Sequence, residues 1–215
     1  MNKITKDPEI QKRPRKGVSR RGFIRGVGIG GAVGSGILEE RAQAEPQAGG
    51  SAVGPGPVAL ALKINGKAMN LNVEQRVTLL DALRDHLDLT GAKKVCDRAT
   101  CGACTVMLDG KSVYACTVLA IEAQGKEIQT IEGLNAGTRL HPVAAAFVNH
   151  DAQQCGYCTP GFVMATKAFL DRNPSPTLQQ VEEGLGGNLC RCGTYVGIKR
   201  AALEAAKEMK GGRNA

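Results

Sequence analysis

Eight cysteines constrain this 215-residue chain more than any other feature, because they fall into two sets of four with different spacings. Cys96-x4-Cys101-x2-Cys104 places three thiols in one loop, and Cys116 follows on a separate segment. Cys155-x2-Cys158 and Cys190-x-Cys192 are two close pairs lying far apart in the chain. The first spacing is that of a plant-type [2Fe-2S] site, where three thiolates wrap a compact cluster and a fourth completes the coordination of its irons. Gly102 and Ala103 keep that loop small, so backbone N–H groups can approach sulfur. Zinc is the alternative metal, but its ligands usually arrive as two short C-x2-4-C pairs. Disulfides are the other alternative, since paired cysteines persist in oxidising compartments.

The pattern around the first set is that of a sheet. Residues 58–64 and 68–73 alternate in polarity on either side of Asn65-Gly66, a two-residue turn that tolerates positive φ, so they form a hairpin. Thr78 and Asp81 make a capping box for a helix running to about Leu87, with Leu79, Leu80, Leu83 and Leu87 on one face. Residues 105–108 and 111–118 flank Asp109-Gly110 as a second hairpin carrying Cys116 on its return strand, and residues 127–131 read as an edge strand. Two hairpins crossed by a helix suggest a β-grasp, ferredoxin-like domain over residues 58–131.

Beyond Ile131 the period changes to that of helices, at residues 141–150, 161–170, 178–185 and 195–209. Pro160 suits a first helical turn, Asn173-Pro174-Ser175-Pro176 ends that helix, and Thr177 with Gln180 caps the next. Residues 132–215 are therefore expected to form a small four-helix bundle, which makes the whole chain α+β. Each of the later cysteine pairs sits just before a helix, where the dipole favours a thiolate by about 0.3–1 kcal/mol. Two such pairs meeting across the bundle would build a second four-thiolate cage.

The chain carries 28 Lys and Arg against 20 Asp and Glu, but the excess is concentrated at one end. Ten basic and four acidic residues fall in residues 1–44, leaving 18 against 16 in the rest. With aromatics at only 3% and no basic stripe in the body, a nucleic-acid partner is not expected. The basic end has its own logic. Ser19-Arg20-Arg21-Gly22-Phe23-Ile24 resembles a twin-arginine export signal, residues 26–37 are apolar but too short to span a hydrocarbon core of ~30 Å, and Ala42-Gln43-Ala44 offers a cleavage site. The expectation is a signal peptide over residues 1–44, a Gly/Pro/Ala/Ser linker over residues 45–57, a periplasmic location and no membrane span in the mature protein. Gly26, Gly28 and Gly31 match a dinucleotide fingerprint in spacing only, since no strand precedes them. Export by this route, as generally understood, follows folding around cofactors, which favours clusters over disulfides.

Taken together, Cys96-x4-Cys101-Gly102-Ala103-Cys104, Gln154-Cys155-Gly156-Tyr157-Cys158-Thr159-Pro160-Gly161 and Gly187-Asn188-Leu189-Cys190-Arg191-Cys192-Gly193 resemble the small subunit of the molybdenum hydroxylases, the xanthine dehydrogenase and aldehyde oxidoreductase family. The resemblance runs from about residue 58 to 210, and the leader narrows it toward the iron-sulfur subunit of periplasmic aldehyde oxidoreductases. It implies two [2Fe-2S] clusters: an outer one on Cys96, Cys101, Cys104 and Cys116, and an inner one on Cys155, Cys158, Cys190 and Cys192. It also implies a large molybdopterin-binding subunit, which Gln154 and Cys192 would approach, and a medium subunit carrying FAD. The activity implied is oxidation of an aldehyde to a carboxylic acid on another chain, with this one relaying the electrons to flavin or an external acceptor. No residue here need be an acid, base or nucleophile. His86, His141 and His150 lack the Cys-x-His spacing of a Rieske centre. Hydroxylation of an N-heterocycle such as isoquinoline or nicotinate is the nearest alternative, and a free-standing ferredoxin-type carrier is a further one.

Overall fold

Two turns in the left-handed region organise the sheet. Asn65 (φ 51°) and Gly66 (φ 77°) reverse the chain between β1 (Pro57–Ile64) and β2 (Lys67–Glu74), pairing Pro57 with Glu74 and Ile64 with Lys67. Asp109 (φ 48°) and Gly110 (φ 74°) do the same between β3 (Thr105–Leu108) and β4 (Lys111–Tyr114). The computed structural model describes residue 19, residues 56–135 and residues 139–211. The leader and linker read from the sequence therefore lie outside the described residues, except for Ser19, Gly56 and Pro57.

Three expectations for the sheet half need correction. The last strand, β5 (Glu127–Gln129), is central rather than at an edge, because the strand order is β2-β1-β5-β3-β4. Ile128 pairs in parallel with Ile64 and in antiparallel with Leu108, so its fully buried side chain joins the two hairpins. Secondly, β4 stops at Tyr114, and Cys116 sits on a 3-10 turn (Ala115–Thr117). Ala115 and Cys116 are both buried in that turn. Thirdly, the helix after Thr78 is short: α1 (Leu79–Asp81) passes into a π turn over Ala82–His86. Arg84 donates from that wider turn to the carbonyls of Thr90 and Ala92 at 2.8 and 2.9 Å, fastening the loop that leads to the first cysteine. The Thr78 hydroxyl does accept from the Asp81 N–H, at 3.1 Å, as its position predicts.

The second half comprises α2 (Pro142–Asn149), α3 (Thr159–Arg172), α4 (Leu178–Gly184) and α5 (Tyr195–Gly211). Thr177 and Gln180 form the expected reciprocal cap of α4, at 3.2 and 2.8 Å. Small residues let these helices approach closely: Ala201, Ala202, Ala205 and Ala206 of α5 are buried among Phe147, Phe162 and Leu170. Strand β3 belongs to both cores. Its four residues are all buried, with Val106 and Leu108 packed among Leu62, Leu79 and Ile128, and Met107 packed in the helical core. The described residues from 56 to 211 accordingly form one compact unit, with α3 lying across β3.

Candidate metal centres

The loop carrying the first three cysteines is shaped by residues with positive φ. Asp97 (55°), Ala99 (57°) and Gly102 (68°) turn successive N–H groups toward its interior, a conformation non-glycine residues adopt rarely. Two of those donors reach sulfur: Thr100 N–H to Cys96 Sγ and Ala99 N–H to Cys116 Sγ, both at 3.3 Å. Gly102 cannot be replaced there without strain, because a Cβ would also lie 2.6 Å from the Asn188 carboxamide. Cys104 and Cys116 are buried, while Cys96 and Cys101 are half-buried.

The later pairs come together at the N-terminal ends of two helices. Cys158 occupies the N-cap position of α3, and Cys190 lies in the turn before α5. The Cys190 N–H donates to the Tyr195 hydroxyl at 2.8 Å, and its Sγ lies 3.2 Å from the Thr194 hydroxyl. Cys190 is buried and Cys158 half-buried, whereas Cys155 and Cys192 are exposed. Gln154 is exposed beside them.

All eight thiols are free, so the disulfide alternative has no support in the fold. Within each set they meet in pairs, Cys96 with Cys101, Cys104 with Cys116, and Cys158 with Cys190. Among the described residues no three His, Cys, Asp or Glu side chains gather closely enough to hold a single metal ion. Four thiolates shared between two irons occupy a wider frame than one ion, and pairing accords with that.

Local electrostatics divide the thiols. The Thr100 side chain pulls Cys96 down to about 6, against burial, with help from the Arg98 and Thr100 N–H groups and the Cys101 thiol. Burial pushes Cys104 up to about 12, and the neighbouring Cys116 and Cys101 thiols add to it. Burial likewise pushes Cys158 up to about 12, with Cys190 and Cys155 adding to it. Cys190 feels burial most strongly in the upward direction, yet the Thr194 hydroxyl and N–H, Cys158 and the Gly193 N–H together bring it down to about 7. Each set thus contains one sulfur prepared as a thiolate and one that loses its proton only when a cation arrives.

One further atom bears on what these sites accept. The Thr159 hydroxyl, next in the chain to Cys158, is buried and has no hydrogen-bond partner within the fold. An unpaired buried hydroxyl costs about 1–3 kcal/mol, so it calls for an acceptor there. A sulfur-rich group held by the adjacent thiolates supplies one, so the donors fit a [2Fe-2S] cluster.

Comparison with known proteins finds a [2Fe-2S] domain in each half. Residues 62–131 match the family model of a 2Fe-2S iron-sulfur cluster binding domain, and residues 130–203 match that of a [2Fe-2S] binding domain. The aldehyde oxidoreductase iron-sulfur-binding subunit PaoA of Escherichia coli O157:H7 is 45% identical over 171 residues, covering 73% of this chain and 75% of its own. The chain belongs to the iron-sulfur small subunits of the molybdenum hydroxylases. The nicotine 6-hydroxylase small subunit of Paenarthrobacter nicotinovorans is likewise 45% identical over 148 residues, covering 69% of this chain and 89% of its own. Among solved structures, quinoline 2-oxidoreductase from Pseudomonas putida 86 superposes with a TM-score of 0.70 at 39% identity, over 73% of this chain and 98% of the matched chain. As a molybdenum hydroxylase small subunit, the chain serves electron transfer in an oxidoreductase whose catalysis lies on other chains.

The sequence divides the eight cysteines into two sets of four but marks no role for Thr159, Thr194, Tyr114 or Asn188. Nothing in spacing marks Tyr114 or Asn188, whose partners Gly187 and Gly102 are distant in the chain. Among the described residues no helix is long and apolar enough to cross a membrane.

Proposed function

We propose that this chain is the iron-sulfur subunit of an exported, aldehyde-oxidising molybdenum enzyme, with one cluster on Cys96, Cys101, Cys104 and Cys116 and the other on Cys155, Cys158, Cys190 and Cys192. The observation that carries the reading is two quartets of free thiols, with backbone N–H groups directed at sulfurs of the first and the Thr194 hydroxyl 3.2 Å from Cys190 Sγ in the second. When bound, each cluster supplies a site that accepts and releases a single electron. The chain's own residues set the conditions for that exchange. Ala99 and Thr100 direct N–H groups at Cys116 and Cys96, which spreads the negative charge on those sulfurs. Burial of Cys104, Cys116 and Cys190 keeps water from the metal side of each loop. The Thr194 hydroxyl, which also reaches the Ala152 carbonyl at 3.3 Å, lies 3.2 Å from Cys190 Sγ.

The exposed side of the helical half suits the large molybdopterin subunit. Tyr157, Leu189 and Val196 are apolar, exposed and close in the chain to the exposed Cys155 and Cys192. Gln154 and Cys192 are the residues we assign to the approach of the pterin. Residues 58–131 and 132–215 are assigned as the two cluster domains, residues 1–44 as a twin-arginine signal, residues 45–57 as a linker, and the periplasm as the location. A medium subunit carrying FAD would take the electrons onward. The length of the alignment with PaoA supports an aldehyde substrate. N-heterocycle hydroxylation is the second reading, favoured by equal identity to the nicotine 6-hydroxylase small subunit.

Holoenzyme isolated from the periplasmic fraction of its native host tests these assignments together. The expected result is two irons and two acid-labile sulfides for each half, and two distinct [2Fe-2S] signals by low-temperature paramagnetic resonance after reduction with an aldehyde. Zinc in place of iron would overturn the ligand assignment. Reduction by nicotinate or quinoline but not by aldehydes would move the enzyme to the second reading, and recovery only from the cytoplasm would remove the export assignment.

A further inference from the structure

The two cysteine loops touch through their backbones. The Leu189 N–H donates to the Cys101 carbonyl at 2.9 Å, which joins the residue before Cys190 directly to a cysteine of the other quartet. Three neighbouring contacts hold this meeting in place. Asn188, only 5% exposed, donates its carboxamide N–H to the Gly102 carbonyl at 2.9 Å and lies 3.4 Å from the Thr105 hydroxyl. The Tyr114 hydroxyl donates to the Gly187 carbonyl at 2.9 Å. Gly161 of α3 packs so closely on the Gly102 carbonyl that a Cβ would collide with it.

Asn188 thus sits next to Leu189 and grips the residue next to Cys101, bracketing the bond between them. The Gly102 carbonyl also accepts from the Thr105 hydroxyl at 2.6 Å and the Thr105 N–H at 3.1 Å, so what Asn188 adds is the donor that comes from the Cys190 loop, a tie between loops that an apolar side chain could not make. We propose that Asn188 is a positioning residue for electron transfer between the two cluster sites, clamping the loops so that the Leu189 N–H to Cys101 carbonyl bond stays short. The inference rests on the assignment of both quartets as cluster ligands. Apart from that hydrogen bond, the connection from Cys190 Sγ to Cys101 Sγ runs through covalent bonds of Cys190, Leu189 and Cys101 alone. Electronic coupling decays less along bonds than across a gap, so lengthening the one non-covalent link weakens the whole route most. A single electron moves: the group on the helical quartet is oxidised, the group on the ferredoxin-like quartet is reduced, and the Leu189 N–H keeps its proton.

The test uses the assembled holoenzyme with Asn188→Leu, which removes the donor at similar volume, and Tyr114→Phe, which removes only the outer brace. Iron content, the potential of each cluster, the magnetic splitting between the two reduced clusters and the rate of inter-cluster transfer after rapid mixing with substrate are measured for each. For Asn188→Leu the expected result is full iron and unmoved potentials with transfer slowed several-fold and the splitting reduced. Tyr114→Phe should show the same change to a smaller degree. A fully loaded Asn188→Leu enzyme with wild-type rate and splitting would overturn the proposal. Slowing accompanied by shifted potentials, or loss of iron, would also overturn it, by assigning Asn188 to driving force or to loading. Should Asn188→Leu fail to fold, Asn188→Ala carries the same comparison without adding a charge. Wild-type enzyme without iron would sink the ligand assignment itself, before any variant is compared.

Discussion

The buried hydroxyl of Thr159 shows how one atom can tune a redox site it does not ligate. It follows Cys158 directly, lies at the start of a helix whose dipole already favours negative charge, and has no oxygen or nitrogen partner. A hydrogen bond to sulfur favours the more negative, reduced state of a cluster and so raises its potential. Thr159→Val keeps the shape and removes the donor. With about 1 kcal/mol of selective stabilisation lost, the potential of one cluster should fall by roughly 40 mV while the other stays in place. A redox titration followed by paramagnetic resonance reads both at once. An unchanged pair of potentials would mean that the hydroxyl bonds to something other than the sulfur of that site.

Among the elements, α2 depends on a cap that can titrate. The Val143 N–H donates to His141 Nδ1 at 3.2 Å, so the cap requires a neutral imidazole with its proton on the other nitrogen. Burial and then the charge of Lys167 hold the His141 pKa below 6.5, with Asp171 opposing them. A depressed folded pKa means that the folded state binds fewer protons than the unfolded one. The stabilisation is therefore complete above pH 6.5 and is lost as pH falls through the folded value. His141→Asn keeps an acceptor that does not titrate. Its melting temperature should match wild type near neutrality and exceed it below about pH 6, and His141→Ala should cost about 1 kcal/mol at neutrality. Parallel pH curves for wild type and His141→Asn would dismiss the cap as a titrating element. Caps were the most legible part of this chain: Thr177 and Gln180 form the full reciprocal box, whereas Thr78 and Asp81 form only its first half, because the Asp81 carboxylate accepts from the Thr78 hydroxyl and not from the Thr78 N–H. The π turn over Ala82–His86 was not legible, because Arg84 binds carbonyls of a loop whose path depends on the finished fold.

For the molecule as a whole, the division into two domains is clearer in the sequence than in the packing. The change from alternation to helical period near Ile131 is real, and two separate family models meet at the same place. Yet Met107, on a strand of the first half, is buried in the core of the second. The strand Thr105 to Leu108 is buried on both faces, and nothing local says that α3 supplies the cover. The central place of β5 was hidden for the same reason, since Ile128 finds its partners Ile64 and Leu108 only across the sheet. A shared strand makes the halves cooperative: the sheet cannot lose β3 without opening the helical core, and the helices cannot separate without exposing Met107. Met107→Ala should therefore cost about 2–5 kcal/mol, and it should lower the urea midpoint at which both cluster signals disappear together. If instead the helical signal vanished at lower urea while the ferredoxin-like signal kept its wild-type midpoint, the halves would be independent folding units, and the contacts of Asn188 and Leu189 would join two bodies able to part.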